Sequence, residues 1–136
     1  MSDRVLWRAA LVLALAGLGV AGYLTWTHYA GTAPICSLSH GCETVQSSRY
    51  ATIGSVPVAL LGLAGYLALL VTLVFDRELL RLAAAGIALV GAAFSGWLTY
   101  LEIARIHAIC QWCVASAALM LGLAAITVWR AARSSR

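Results

Sequence analysis

Apolar residues run in four long blocks along the chain, at about 5–26, 57–75, 82–101 and 110–129, and polar connections separate them. A hydrocarbon core of about 30 Å needs ~20 helical residues, so each block is long enough to span it. Inside a bilayer every backbone polar group has to be satisfied within its own segment, and blocks of this length therefore predict helices. The pattern predicts an all-α integral membrane protein, a four-transmembrane-helix bundle that uses residues 1–136 as a single membrane domain. Arg4 and Arg8 before the first block resemble the start of a signal peptide. That block runs to about 22 residues, beyond the 7–15 of a cleaved apolar region, and is expected to stay as the first helix.

The connections differ in kind. The first, 27–56, is long and polar and holds Cys36, His40, Cys42, Ser47, Ser48 and Arg49. Loops of this length are commonly functional. Within it, 43–50 is expected to form a short interfacial helix, with Val45 and Tyr50 toward the membrane, lying as a lid across the bundle mouth. Ser55 is the expected N-cap of the second helix and Pro57 a first-turn proline. The second connection, Phe75, Asp76, Arg77 and Glu78, reads as a tight charged turn between antiparallel helices and is assigned no further role. The third, 102–108, carries Arg105 and His107 and is short enough to make the third and fourth helices neighbours. Gly17, Ala21, Gly22, Gly62, Gly65, Gly86, Ala92 and Gly96 offer small surfaces for helix contact. Trp26, Trp97, Tyr100, Trp112 and Trp129 fall near block ends, where amphipathic rings anchor at the headgroup level.

Composition agrees with a membrane protein: 62% of residues are hydrophobic and 10% charged, against roughly 45–50% and 25% in soluble domains. Nine arginines against five acidic residues give a net charge of +4. In an up-and-down bundle Arg4, Arg8, Arg77, Arg81, Arg130, Arg133 and Arg136 collect on one side, which the positive-inside bias makes cytoplasmic. Topology thus accounts for the charge, and nothing is left to suggest nucleic acid. All four cysteines fall on the opposite side, which in a bacterium is the oxidising periplasm, where disulfides persist.

Cys110-Gln111-Trp112-Cys113 opens the last block. A C-x-x-C at the start of a helix can open and close as a disulfide, and its first sulfur sits where unpaired backbone N–H groups favour a thiolate. Single cysteines in apolar sequence are often small buried hydrophobes. Four thiols can also hold zinc, usually as two close pairs, whereas the second pair here is Cys36-x5-Cys42. Thiol exchange accounts better for one loop pair and one helix pair. The loop pair is free to visit both a soluble partner and Cys110, and electrons then collect on Cys110 and Cys113. With no dinucleotide or haem motif, a lipid-soluble quinone beside Cys113 is the economical acceptor. His107, three residues before Cys110, is placed to relay protons or stabilise the thiolate, but it is expected, with His28 and His40, to be an ordinary interfacial or loop histidine. Ser48 is a candidate hydroxyl contact for a quinone oxygen, with a turn or capping hydrogen bond as the alternative role. The rival reading from another class is a non-catalytic membrane protein whose cysteines form structural disulfides or a zinc site.

At Cys36-x5-Cys42, Cys42-Glu43-x-Val45-x-x-Ser48-x-Tyr50, Pro57-Val58 with Gly62, and Cys110-x-x-Cys113, the chain resembles the vitamin K epoxide reductase family in its bacterial homologues. The resemblance implies a four-helix bundle around a quinone of the menaquinone, ubiquinone or vitamin K type. It implies Cys36 and Cys42 as the shuttle pair, Cys110 as their exchange partner, Cys113 as the thiol next to quinone and Ser48 near the quinone pocket. Cys42 paired with Cys110 is the expected intermediate. Many bacterial homologues carry a fused thioredoxin-like domain. This chain ends at Arg136 without one, so a separate periplasmic DsbA-like or thioredoxin-like partner is expected. Vertebrate members have a tyrosine one turn beyond the C-x-x-C where this chain has Ala117, which favours quinone reduction over epoxide reduction. The unrelated DsbB family places its C-x-x-C in the first external loop, the reverse of the order here.

Overall fold

The computed structural model describes residues 2–30, 52–53, 56–106 and 111–134. Four helices carry the fold: α1 (Asp3–Ala30), α2 (Val58–Phe75), α3 (Glu78–Leu101) and α4 (Gln111–Ser134). Each is long and apolar enough to cross a membrane. Ser2 starts α1 as an N-cap, its hydroxyl accepting the Val5 N–H at 3.3 Å, and Asp3 adds a negative charge where the helix dipole favours one. The first helix runs on to Ala30, four residues past the expected limit, and so takes Thr27 and His28 out of the connection. Ahead of α2 lies a two-residue antiparallel pair, β1 (Thr52–Ile53) with β2 (Val56–Pro57), in which Thr52 faces Pro57 and Ile53 faces Val56. Pro57 therefore belongs to this ladder and α2 begins one residue later, a correction to its expected place in the first turn. A proline has no N–H to give and fits an edge position of this kind. A π-helical turn, Glu102–Ile106, continues α3 where a plain connection was expected. The expected lid at 43–50 and the Ser55 cap lie outside the described residues.

The helices pack in a ring, α1 on α2, α2 on α3, α3 on α4 and α4 back on α1, with the α3–α4 pair the most extensive. Small residues make the interior: Ala10, Ala14, Ala21, Ala84, Ala88 and Ala124 are buried with Tyr66, Leu69, Leu73, Met120 and Leu123. Bulky apolar residues such as Val12, Leu15, Leu67, Val74, Leu89, Val90 and Leu121 point outward. Small inside and large apolar outside is the distribution that lipid selects, because helices in a bilayer gain by close backbone approach while their outer faces meet acyl chains. Among the glycines named from sequence, Gly17, Gly22 and Gly62 face neighbouring side chains, whereas Gly65, Gly86 and Gly96 face open space. Close α3–α4 approach falls instead to Gly91, which lies against Met120.

One end of the ring is closed by charge. Arg130, with only 2% of its side chain exposed, donates to Asp76 Oδ1 at 2.7 Å and to Asp3 Oδ1 at 3.1 Å. Arg81 reaches the same two carboxylates at 3.3 and 3.5 Å. Two acids and two arginines thus join α1, the α2–α3 turn, α3 and α4 in a neutral cluster. The turn that sequence left without a role supplies its central acid, Asp76, whose backbone is left-handed at φ 38°.

Candidate active site

At the other end, α4 opens with Gln111, Trp112 and Cys113. Counting down one helical stripe, Cys113 is followed at intervals of three and four by Ser116, Met120, Leu123, Thr127 and Arg130. The last four are buried, so Cys113 stands at the head of the face that α4 turns to the bundle interior. It is half-buried itself. Seventeen residues of helix separate it from Arg130, about 26 Å at 1.5 Å per residue, close to a hydrocarbon thickness. The thiol and the charge cluster therefore occupy opposite ends of the membrane-spanning region.

Aromatic rings flank the thiol end. Tyr23 of α1 packs on Trp112 of α4 with centroids 5.1 Å apart and planes tilted by 56°, and on Trp26 at 6.5 Å. Trp112, half-buried near the start of α4, is thus also part of the α1–α4 contact. Trp26, Trp97, Tyr100 and Trp129 are more than half exposed, as anchors require. One turn below Cys113, the hydroxyl of Tyr66 from α2 donates to the Ser116 carbonyl at 2.8 Å and shares a hydrogen bond with Ser116 Oγ, also at 2.8 Å.

Tyr66 was passed over in sequence, where only its neighbour Gly65 drew attention. The available signal was a tyrosine in the middle of an apolar block, since a buried phenol needs a partner for its hydroxyl. Of the site residues expected from sequence, Cys113 alone lies among those described. Cys36, Cys42, Ser48 and Cys110 lie outside them, as do His40 and His107.

The arrangement puts a half-buried thiol at the end of the bundle that also bears the Tyr23–Trp112 contact, one turn before the Tyr66–Ser116 pair. A half-buried thiol at a helix end is placed where thiol chemistry is possible. A family model described as the vitamin K epoxide reductase family matches residues 8–128. The matched span takes in α2, α3, Tyr23, Trp112 and all four cysteines.

Proposed function

The chain belongs to the vitamin K epoxide reductase family, and on that premise we propose that this multi-pass membrane protein is a thiol:quinone oxidoreductase supporting disulfide formation. It reoxidises a DsbA-like or thioredoxin-like partner in the periplasm. Cys36 and Cys42 collect electrons from that partner and pass them by disulfide exchange to Cys110 and Cys113. Converting two partner thiols to a disulfide releases two electrons and two protons, which a quinone takes up to leave as the quinol. Ser48 is assigned to a quinone oxygen. The protein lies in the bacterial inner membrane with both termini cytoplasmic and its cysteines on the periplasmic side.

The observation that supports this most is the place of Cys113, half-buried at the head of the interior face of α4, at the end of the bundle where Tyr23 packs on Trp112. Reactive cysteines are partly exposed, whereas inert ones are buried, and Cys113 is of the first kind.

The test is anaerobic turnover of the purified protein with a reduced DsbA-like partner and a short-chain quinone, following quinone absorbance and partner thiols together. Loss of the two in one-to-two proportion, abolished by Cys110→Ala and by Cys113→Ala, is the expected result. No turnover with any quinone, together with tightly bound zinc, would replace this reading by a structural one.

A further inference from the structure

We infer that Tyr66 is a positioning residue for Cys113, a strut that sets the height and rotation of the first turns of α4. Its ring is 1% exposed and lies over Gly17 of α1 so closely that a β-carbon on that glycine would overlap it. The ring therefore has no room to retreat toward α1. Held there, it carries its hydroxyl across the bundle from α2 to α4, to Ser116. The acceptor is a main-chain oxygen. A bond to main chain restrains the helix itself, where a bond to a side chain restrains only a rotamer. Such restraint matters most near a helix start, where the first turn has unpaired N–H groups and frays readily.

Cys113 is three residues before Ser116 on the same stripe, so within a rigid helix the direction of its thiol follows from where Ser116 is held. Gly17, Tyr66 and Ser116 come from three helices. Their contact passes the geometry of the bundle interior to the turn that bears the cysteine. The phenol acts through Ser116 and leaves the chemistry to the thiol. Its importance for turnover rests on the reading of Cys113 as a reacting group, but its effect on the thiol is measurable without any quinone.

The experiment uses the full chain in detergent with Cys36, Cys42 and Cys110 changed to serine, and follows alkylation of Cys113 by a small maleimide over a range of pH. Tyr66→Phe keeps the ring and removes the hydroxyl. It is expected to speed alkylation about fivefold at each pH, the factor by which an opening equilibrium moves when a hydrogen bond of ordinary net strength is lost. Gly17→Ala, which displaces the ring and keeps the hydroxyl, is expected to do the same. Ser116→Ala retains the main-chain acceptor and should stay near the parent rate. Asp76→Asn, which weakens the opposite end, should stay there too. Parental rates in both Tyr66→Phe and Gly17→Ala would overturn the strut, as would equal acceleration by Asp76→Asn or by Ser116→Ala. Absence of quinone turnover in the four-cysteine protein, with these rates as expected, would instead sink the proposed function and leave the strut standing.

Discussion

Arg130 Nη2 lies 2.7 Å from Asp76 Oδ1, although 54 positions separate the two residues. Arg130 is buried, and Asp76 belongs to the turn between α2 and α3. Asp3 and Arg81 complete the cluster, so no charge in it lacks an opposite neighbour. This matters because a charge away from water is tolerated only when paired and hydrogen-bonded.

Neutralising Asp76 is therefore expected to cost more than neutralising Asp3. Asp76 makes the shorter contact to Arg130, and its side chain is 30% exposed against 42% for Asp3. Asparagine tolerates the left-handed backbone at this position, so Asp76→Asn isolates the charge. Breaking a fully buried pair costs about 3–5 kcal/mol; with Asp3 still engaging Arg130, a loss of ~2 kcal/mol is expected in Asp76→Asn and less in Asp3→Asn. Thermal unfolding in detergent measures both, and an equal or reversed ranking would refute the account.

Trp7 caps a helix belonging to another part of the chain. Its indole N–H donates at 2.8 Å to the carbonyl of Leu73, in the last turn of α2, where carbonyls run out of intrahelical donors. Trp7→Phe should lower stability by about 1 kcal/mol, the net worth of an ordinary hydrogen bond. Trp129→Phe, at an exposed position, serves as the comparison and should move the midpoint less.

Two glycines of α1 two positions apart should respond in opposite ways. A β-carbon at Gly17 overlaps the Tyr66 ring, whereas one at Gly19 meets nothing within 4 Å. Gly17→Ala is expected to destabilise by roughly 1–3 kcal/mol through overpacking. Gly19→Ala is expected to be neutral or to gain up to about 1 kcal/mol from helix propensity. Denaturation of the pair side by side reads the difference, and a stable Gly17→Ala would show that the ring has room after all.

The shuttle role of the loop pair has its own signature. If the loop pair is the shuttle proposed above, changing Cys36 and Cys42 together to alanine should stop oxidation of the protein partner and spare turnover with dithiothreitol, a small dithiol. Equal loss with both donors would remove the shuttle. A thiol reagent that cannot cross the membrane should label the reduced loop cysteines from the periplasmic side, and labelling from the cytoplasm alone would invert the topology.

The four helices were legible in the sequence because a bilayer leaves one economical solution for a long apolar block, and local composition is enough to identify it. The neighbouring of α3 and α4 was legible too, since a connection as short as 102–108 cannot reach farther. Cys113 was singled out as a candidate from its spacing to Cys110, a sequence motif that needs no tertiary information.

Pairings between distant segments were a different matter. Asp76 read as one more charge in a turn, because nothing within a few residues of it reveals that Arg130 lies beside it. Tyr66 read as part of an apolar block, because the glycine that receives its ring and the carbonyl that receives its hydroxyl belong to two other helices. That Trp112 packs on Tyr23 is likewise invisible in the sequence, since 89 positions separate the two. Local pattern decided which segments cross the membrane and which end of α4 bears a thiol. Only the tertiary structure decided how those helices are turned toward one another, because helix rotation in lipid is set by side-chain packing and polar pairing between segments far apart in the chain.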